Sequence, residues 1–317
     1  MSASLRHTVA VVAAAFVLLR VSPAAGQPVF SAVTEVVVLH VGVTDRHGSA
    51  AGDLTRDDFR VFEDSQPQTI TYFASQDAPA TIGLIIDNSS SMQPIRDLVI
   101  GAAVGFAEAS NPKDEMFALV FNEQVRAVLP PESPFTSDVA VLRAALTEHM
   151  FSRGRTGLFD ALAAGLDHVA EGHNERTALI VLSDGGDNAS RASFADVLTR
   201  AQSSNAVVYT VALADPLDSD ANPKLLERIA NATGGEAFQP HDARQVADVL
   251  ARIARDIRKT YTVGYISTNP AHDGTFRHVR VEVDAPAQHG LRVHTRAGYL
   301  AAAPSGKPSG KDGPREP

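Results

Sequence analysis

The chain has 317 residues, 44% of them hydrophobic and 21% charged, with a formal net charge of −9 at pH 7. That balance suits one large or two ordinary globular domains, and the acidic excess without a basic stripe argues against nucleic acid or an anionic membrane surface as the main partner. Cysteine is absent, which excludes disulfides, thiolate catalysis and thiolate metal sites.

Arg6 and His7 precede the apolar run Val9 to Leu19, which leads into Ser22, Pro23, Ala24, Ala25 and Gly26. The run is shorter than the ~18 apolar residues of a spanning helix. Residues 1–26 therefore read as a secretory signal peptide cleaved near Gly26, with the mature chain secreted or periplasmic. Residues 27–78 carry a β pattern: "VTEVVVLHVGVTD", the turn "RHGSAAG", then "FRVFEDSQPQTITYF", with Thr55 and Asp58 spaced as a capping box for one helical turn.

From residue 79 strand and helix patterns alternate. Strands are predicted at 81–87, 116–121, 125–129, 177–183, 206–212 and 236–238, and helices at 93–109, 138–148, 157–171, 192–203, 223–232 and 242–258. Apolar strands separated by helices predict an α/β domain over 79–258, a doubly wound and mostly parallel sheet covered on both faces. The close pair around Asn122-Glu123-Gln124 adds one antiparallel edge strand. After 258, "YTVGYIS", "FRHVRVEVDA" and "LRVHTRAGYL" read as three more strands. Three strands alone would expose an apolar face, so 259–302 is expected to pack with 27–78 as one small all-β domain into which the α/β domain is inserted. Residues 303–317, rich in Pro, Gly, Lys and Ser, predict a disordered tail.

Ligands of open α/β sheets sit beyond the carboxyl ends of the strands, and three loops there are rich in oxygen. "TIGLIIDNSSSM" ends an apolar strand with Asp87, Ser89 and Ser91 on alternate residues, the carboxylate expected at a solvent-facing sheet edge. "GRTGLFDAL" places Thr156 just before a helix, and "ALIVLSDGGDN" ends a strand at Asp184. Two carboxylates and three hydroxyls form an all-oxygen set suited to a hard cation such as Mg²⁺ and unsuited to zinc. Each fragment also has an ordinary structural use, because Ser, Thr and Asp cap helices and Asp-Gly makes turns. The conjunction of all three at one sheet edge is what points to a site. Asp187 serves either as a substitute ligand or as a cap of the next helix. His168 and His173, at a helix end, are expected to meet solvent and the helix dipole. The sequons at Asn88, Asn188 and Asn231 read as coincidental, and no nucleotide-binding glycine motif is present.

Asp87-x-Ser89-x-Ser91, the later Thr156 and Asp184-Gly185, in that order, resemble the metal-ion-dependent adhesion site of von Willebrand factor type A domains. The resemblance spans 79–258. The flanking "LTRDDFRVFEDSQPQTI", "YTVGY" and "RAGYL" are similar to an exported bacterial subgroup of related proteins. The resemblance implies that Ser89, Ser91 and Thr156 offer hydroxyl oxygens to Mg²⁺, Mn²⁺ or Ca²⁺, directly or through water, while Asp87 and Asp184 orient ligands or bridge by water. It also implies an adhesion-type protein-binding module, not an enzyme, whose ion recruits an Asp or Glu of a partner protein. With a net charge of −9, such binding is expected to rely on the local ion more than on long-range steering. A structural envelope protein with a vestigial site, or a metal-dependent hydrolase, would share the architecture. The hydrolase needs a nucleophile or general base near the ion, and no second carboxylate follows Asp87 two residues on.

Overall fold

The computed structural model describes residues 36–46, 48–75, 77–151, 153–213, 221–285 and 290–302. The expected leader (1–26) and tail (303–317) lie outside the described residues. Among those described, no helix is long and apolar enough to cross a membrane.

Among the described residues the first strands are β1 (Val36–Thr44), β2 (Phe59–Glu63), β3 (Gln66–Gln68) and β4 (Ile70–Ala74). The Thr55 turn forms as its spacing predicts, with the Thr55 amide donating to the Asp58 carboxylate at 2.7 Å. The α/β core follows: β5 (Ala80–Asp87), α1 (Arg96–Ala109), β6 (Glu115–Phe121), β7 (Val125–Ala127), α2 (Val139–His149), α3 (Leu158–Val169), β8 (Arg176–Ser183), α4 (Phe194–Ser203), β9 (Val207–Ala212), α5 (Pro223–Thr233), β10 (Ala237–Phe238) and α6 (Val246–Arg258). Its six strands run in the order β10-β9-β8-β5-β6-β7, parallel throughout except for the β6–β7 hairpin at one edge.

Every residue of β5 is buried, which is why it reads as a continuous apolar run and not as an alternation. Ile82, Leu84 and Ile86 meet α1 and α6 on one face, through residues such as Phe106 and Leu250. Ile85 faces α3 on the other side, in a cluster that also holds Leu162 of α3, Val197 of α4 and Ile229 of α5. Helix α1 starts at Arg96 and not at 93 as predicted. A 3-10 stretch, Ser90–Ile95, precedes it and contains Pro94, whose ring and missing N–H suit an irregular entry better than a helix interior. Helix α5 ends at Gly234, whose φ of 84° is left-handed. A Cβ there would fall 2.3 Å from backbone atoms of Thr295 and Arg296, so this glycine also permits a close chain approach.

After the core come β11 (Tyr261–Ile266), β12 (Phe276–Val283), β13 (Arg292–His294) and β14 (Gly298–Leu300). They interleave with the early strands in two four-stranded sheets, β13-β1-β11-β4 and β14-β12-β2-β3. The register of β1 on β11 runs from Val36 opposite Ile266 to Val41 opposite Tyr261. Leu39, Phe59, Val61, Val263, Tyr265 and Val281 pack in one hydrophobic cluster drawn from both ends of the chain. The segment 291–300, predicted as one strand, is two. It breaks around Arg296, whose buried guanidinium turns toward the core and donates to the carbonyls of Gln202 (2.6 Å) and Gly298 (2.9 Å). Arg176, at the start of β8, donates to Ile257 O (2.9 Å) and Thr260 O (2.7 Å), so the route into these sheets leaves from the amino edge of the core sheet. The oxygen-rich loops lie at the opposite edge.

Deleting residues 29–76 removes the strands that cover Val263 and Tyr265. The remaining chain is expected to aggregate, because its apolar sheet face and unpaired edges are left open. Size-exclusion chromatography with circular dichroism checks this, and a monomeric, fully folded product would show that the two ends of the chain are independent.

Candidate metal centre

The parallel sheet delivers β5 and β8 side by side, and their carboxyl ends carry the oxygen-rich loops. Ser89 Oγ and Ser91 Oγ are 3.0 Å apart, and the Ser91 hydroxyl donates to Asp184 Oδ2 at 2.9 Å. Ser89 and Asp184 are buried, whereas Ser91 is exposed, so this chain of oxygens opens to solvent at Ser91, its middle member. The other Asp184 oxygen accepts from the Gly186 amide at 2.8 Å. Gly185 between them has φ 83°, the left-handed turn that folds this loop back over its own carboxylate.

Asp87 does not face solvent as expected: it is completely buried beneath the cluster. Its Oδ1 accepts from the Ser89 amide (2.9 Å) and its Oδ2 from the Ser183 hydroxyl (2.8 Å). Burial raises its pKa to about 6, against the lowering effect of those hydrogen bonds, and the nearby Asp184 charge adds to the rise. Thr156 is held through its backbone. Its amide donates to Asn188 Oδ1 (3.0 Å), and its carbonyl accepts from the amides of Asn188 and Ala189 (both 2.9 Å). The same loop meets the serine loop where the Gly154 amide donates to Ser90 Oγ at 3.1 Å. The three loops therefore interlock, and all five residues singled out in the sequence lie within them.

Ser183 and Asn188 are the supports that motif reading missed. The first fixes the Asp87 carboxylate and the second fixes the Thr156 backbone. Only the adjacency of Ser183 to Asp184 hinted at its part. Asp187 is a cap, but of the preceding helix α3 and not of the next one: its Oδ1 accepts from the Phe159 amide (3.3 Å) and from the Ser190 hydroxyl (2.6 Å), while α4 is capped by Ser193. His168 departs from expectation, because its ring packs 4.3 Å from Phe117 and 5.2 Å from Phe135, with Nε2 buried. His173 stays exposed and bonds Glu115 through Nδ1 at 2.9 Å.

Among the described residues, no group of three or more His, Cys, Asp or Glu side chains is placed to hold a metal ion. A cation here would thus depend on hydroxyls. The donor chemistry fits a hard ion: each serine oxygen keeps a lone pair beyond its hydrogen bond, and the Asp184 charge stands beside them.

A family model for the von Willebrand factor type A domain matches residues 81–252, more than half of the chain. No curated protein matches in sequence. Similar solved structures include a von Willebrand factor type A protein from Catenulispora acidiphila, at 14% identity over 86% of this chain and 76% of that one (TM-score 0.49). An aerotolerance-related membrane protein from Bacteroides fragilis is 14% identical over 56% of this chain and 98% of its own (TM-score 0.45). The von Willebrand factor domain of a type V pilus tip protein from Porphyromonas gingivalis is 14% identical over 57% and 95% (TM-score 0.44).

Proposed function

Because the chain belongs to the von Willebrand factor type A family, we propose that it is an exported protein-binding module that holds its partner through a divalent cation, Mg²⁺, Mn²⁺ or Ca²⁺. The observation that carries this reading is the run of oxygens Ser89–Ser91–Asp184, open to solvent at the carboxyl edge of a buried sheet. Ser89, Ser91 and Thr156 would hold the ion by their hydroxyls, with Asp184 beside them. Asp87 acts from below, keeping the serine loop in place through the Ser89 amide.

When bound, the ion supplies an electrophilic centre that a carboxylate can complete. The protein offers mostly neutral donors, so charge is left for an Asp or Glu of a partner to neutralise. Domains of this family commonly serve as interaction modules, which agrees with binding and not turnover as the activity.

Binding to the folded state alone raises stability by about 2.7 kcal/mol at a hundredfold excess over Kd. For a domain of this size that is a shift of roughly 5–10 °C in Tm. Thermal unfolding of the full chain is therefore expected to move up by that amount in saturating Mg²⁺ or Mn²⁺ relative to EDTA, with one site per chain by calorimetry. Identical melting in EDTA and in all three ions, with no heat of binding, would remove the metal from this proposal.

A further inference from the structure

A groove of about 460 Å³ runs beside the serine loop, between the β6–β7 turn and the chain that leaves α2. Its walls include Asn88, Glu123, Arg126, Phe151 and Arg153. We infer that this groove seats an acidic, extended segment of the partner protein, immediately beside the carboxylate that completes the metal site. The inference rests on the metal-dependent reading and adds to it the chemistry of the residues that flank that carboxylate.

The groove and the candidate centre share a wall. The Arg153 amide donates to the Asn88 carbonyl at 2.9 Å, and Asn88 stands between Asp87 and Ser89. The far wall is tied to the same loop: Asn122 Nδ2 donates to the Arg153 carbonyl (3.0 Å), and the Arg155 amide donates to Glu123 Oε2 (2.9 Å). The volume falls within the roughly 300–1,000 Å³ of ordinary binding clefts. It is pre-formed by backbone hydrogen bonds, so an occupant need not order it.

Charge selects the occupant. The chain as a whole is acidic, yet this groove carries two exposed guanidiniums, Arg126 and Arg153, against one carboxylate, Glu123. Glu123 already accepts from the Arg155 amide, and Arg126 bonds the neutral Gln124 Oε1 at 2.8 Å. Among the described residues the Arg153 side chain has no hydrogen-bond or ion-pair partner. Steering is thus local: the groove is positive where the protein is negative, in contrast to what net charge alone suggested. Val120 and Phe121 also line the groove but are buried, so among the described lining residues Phe151, 64% exposed, is the large apolar side chain that an occupant can reach. An exposed aromatic that shares a groove with two arginines has the composition of an interface anchor. The segment that fits presents one acid to the ion, an apolar side chain to Phe151, and a second acid to Arg126 and Arg153.

The test uses the full chain and a phage-displayed library of random dodecapeptides selected in Mg²⁺. Enriched peptides are synthesised and titrated against the native chain, Phe151→Ala, and the double variant Arg126→Glu/Arg153→Glu, each with Mg²⁺ and with EDTA. Calorimetric Mg²⁺ binding serves as the check that the variants retain the centre. The enriched sequences are expected to pair acidic with apolar residues, and each variant is expected to lose about tenfold or more in peptide affinity while keeping its Mg²⁺ affinity. Peptides that need Mg²⁺ but ignore both variants would overturn the groove and leave the metal reading standing. Peptides that lose affinity in both variants but ignore EDTA would support the groove and overturn the metal reading. Enrichment of no peptide at all would overturn the groove as a seat for an extended segment.

Discussion

Asp184→Asn is expected to lower Mg²⁺ affinity by about a hundredfold while leaving the melting temperature in EDTA nearly unchanged. The substitution removes a charge without removing shape. The amide oxygen still accepts from the Gly186 amide, and the amide nitrogen can donate to the Ser91 hydroxyl, which accepts as readily as it donates. What is lost is the negative charge beside two neutral hydroxyls, which for a hard divalent cation is the larger part of the attraction. Loss of an orienting partner at metal sites commonly costs about 10- to 100-fold. Isothermal titration calorimetry with Mg²⁺ reads the effect directly, and unchanged affinity would show that the ion, if bound, sits elsewhere.

Asp87→Ala is a poorer probe. Asp87 is fully buried, and its removal leaves the Ser183 hydroxyl and the Ser89 amide without their acceptor. Lost binding in that variant would mix lost charge with a displaced serine loop. A combined measurement of melting and metal affinity separates the two, whereas affinity alone does not.

Glu63→Ala is expected to destabilise the flanking sheets by about 1–3 kcal/mol, the usual cost of leaving a buried hydrogen-bond donor without its acceptor. Glu63, at the end of β2, is only 2% exposed. It accepts from the hydroxyls of Tyr265 and Tyr299, both at 2.8 Å, and from that of Ser267. Tyr265 lies on β11 in one sheet and Tyr299 on β14 in the other, so a single carboxylate joins both sheets and both ends of the chain. Burial, reinforced by Glu63, raises the Tyr265 pKa and holds that of Tyr299 up at about 12, so both phenols remain donors throughout the working pH range. Truncation leaves the Tyr265 hydroxyl, on a fully buried side chain, without its acceptor. Glu63→Gln, which keeps an acceptor oxygen, is expected to recover much of the loss. Chemical denaturation of the three proteins, with the transition followed by tyrosine fluorescence and far-UV dichroism, checks the order. Equal stability of the Ala and native forms would show that the hydroxyls find other partners.

The α/β fold was legible because its signals are local. Strands buried on both faces, such as 80–87, read as unbroken apolar runs, helices between them repeat at their own period, and turn residues mark the joins. The oxygen-rich loops were legible for a related reason: alternate residues of Asp87-x-Ser89-x-Ser91 can share one side of a tight turn, and strand ends in such sheets gather at one edge. Contacts between residues far apart in the chain decided the rest. Asp87 is buried because Ser183, ninety-six positions later, arrives on the neighbouring strand and bonds it. Asp187 caps a helix that begins before it in sequence, and Arg296 splits the last predicted strand by reaching the carbonyl of Gln202. The positive groove exists only because the β6–β7 turn and the loop after α2 are brought together beside Asn88. Periodicity and spacing report which face of an element is apolar. They carry no information about which distant polar atom will meet a given carboxylate, since that depends on how the elements pack.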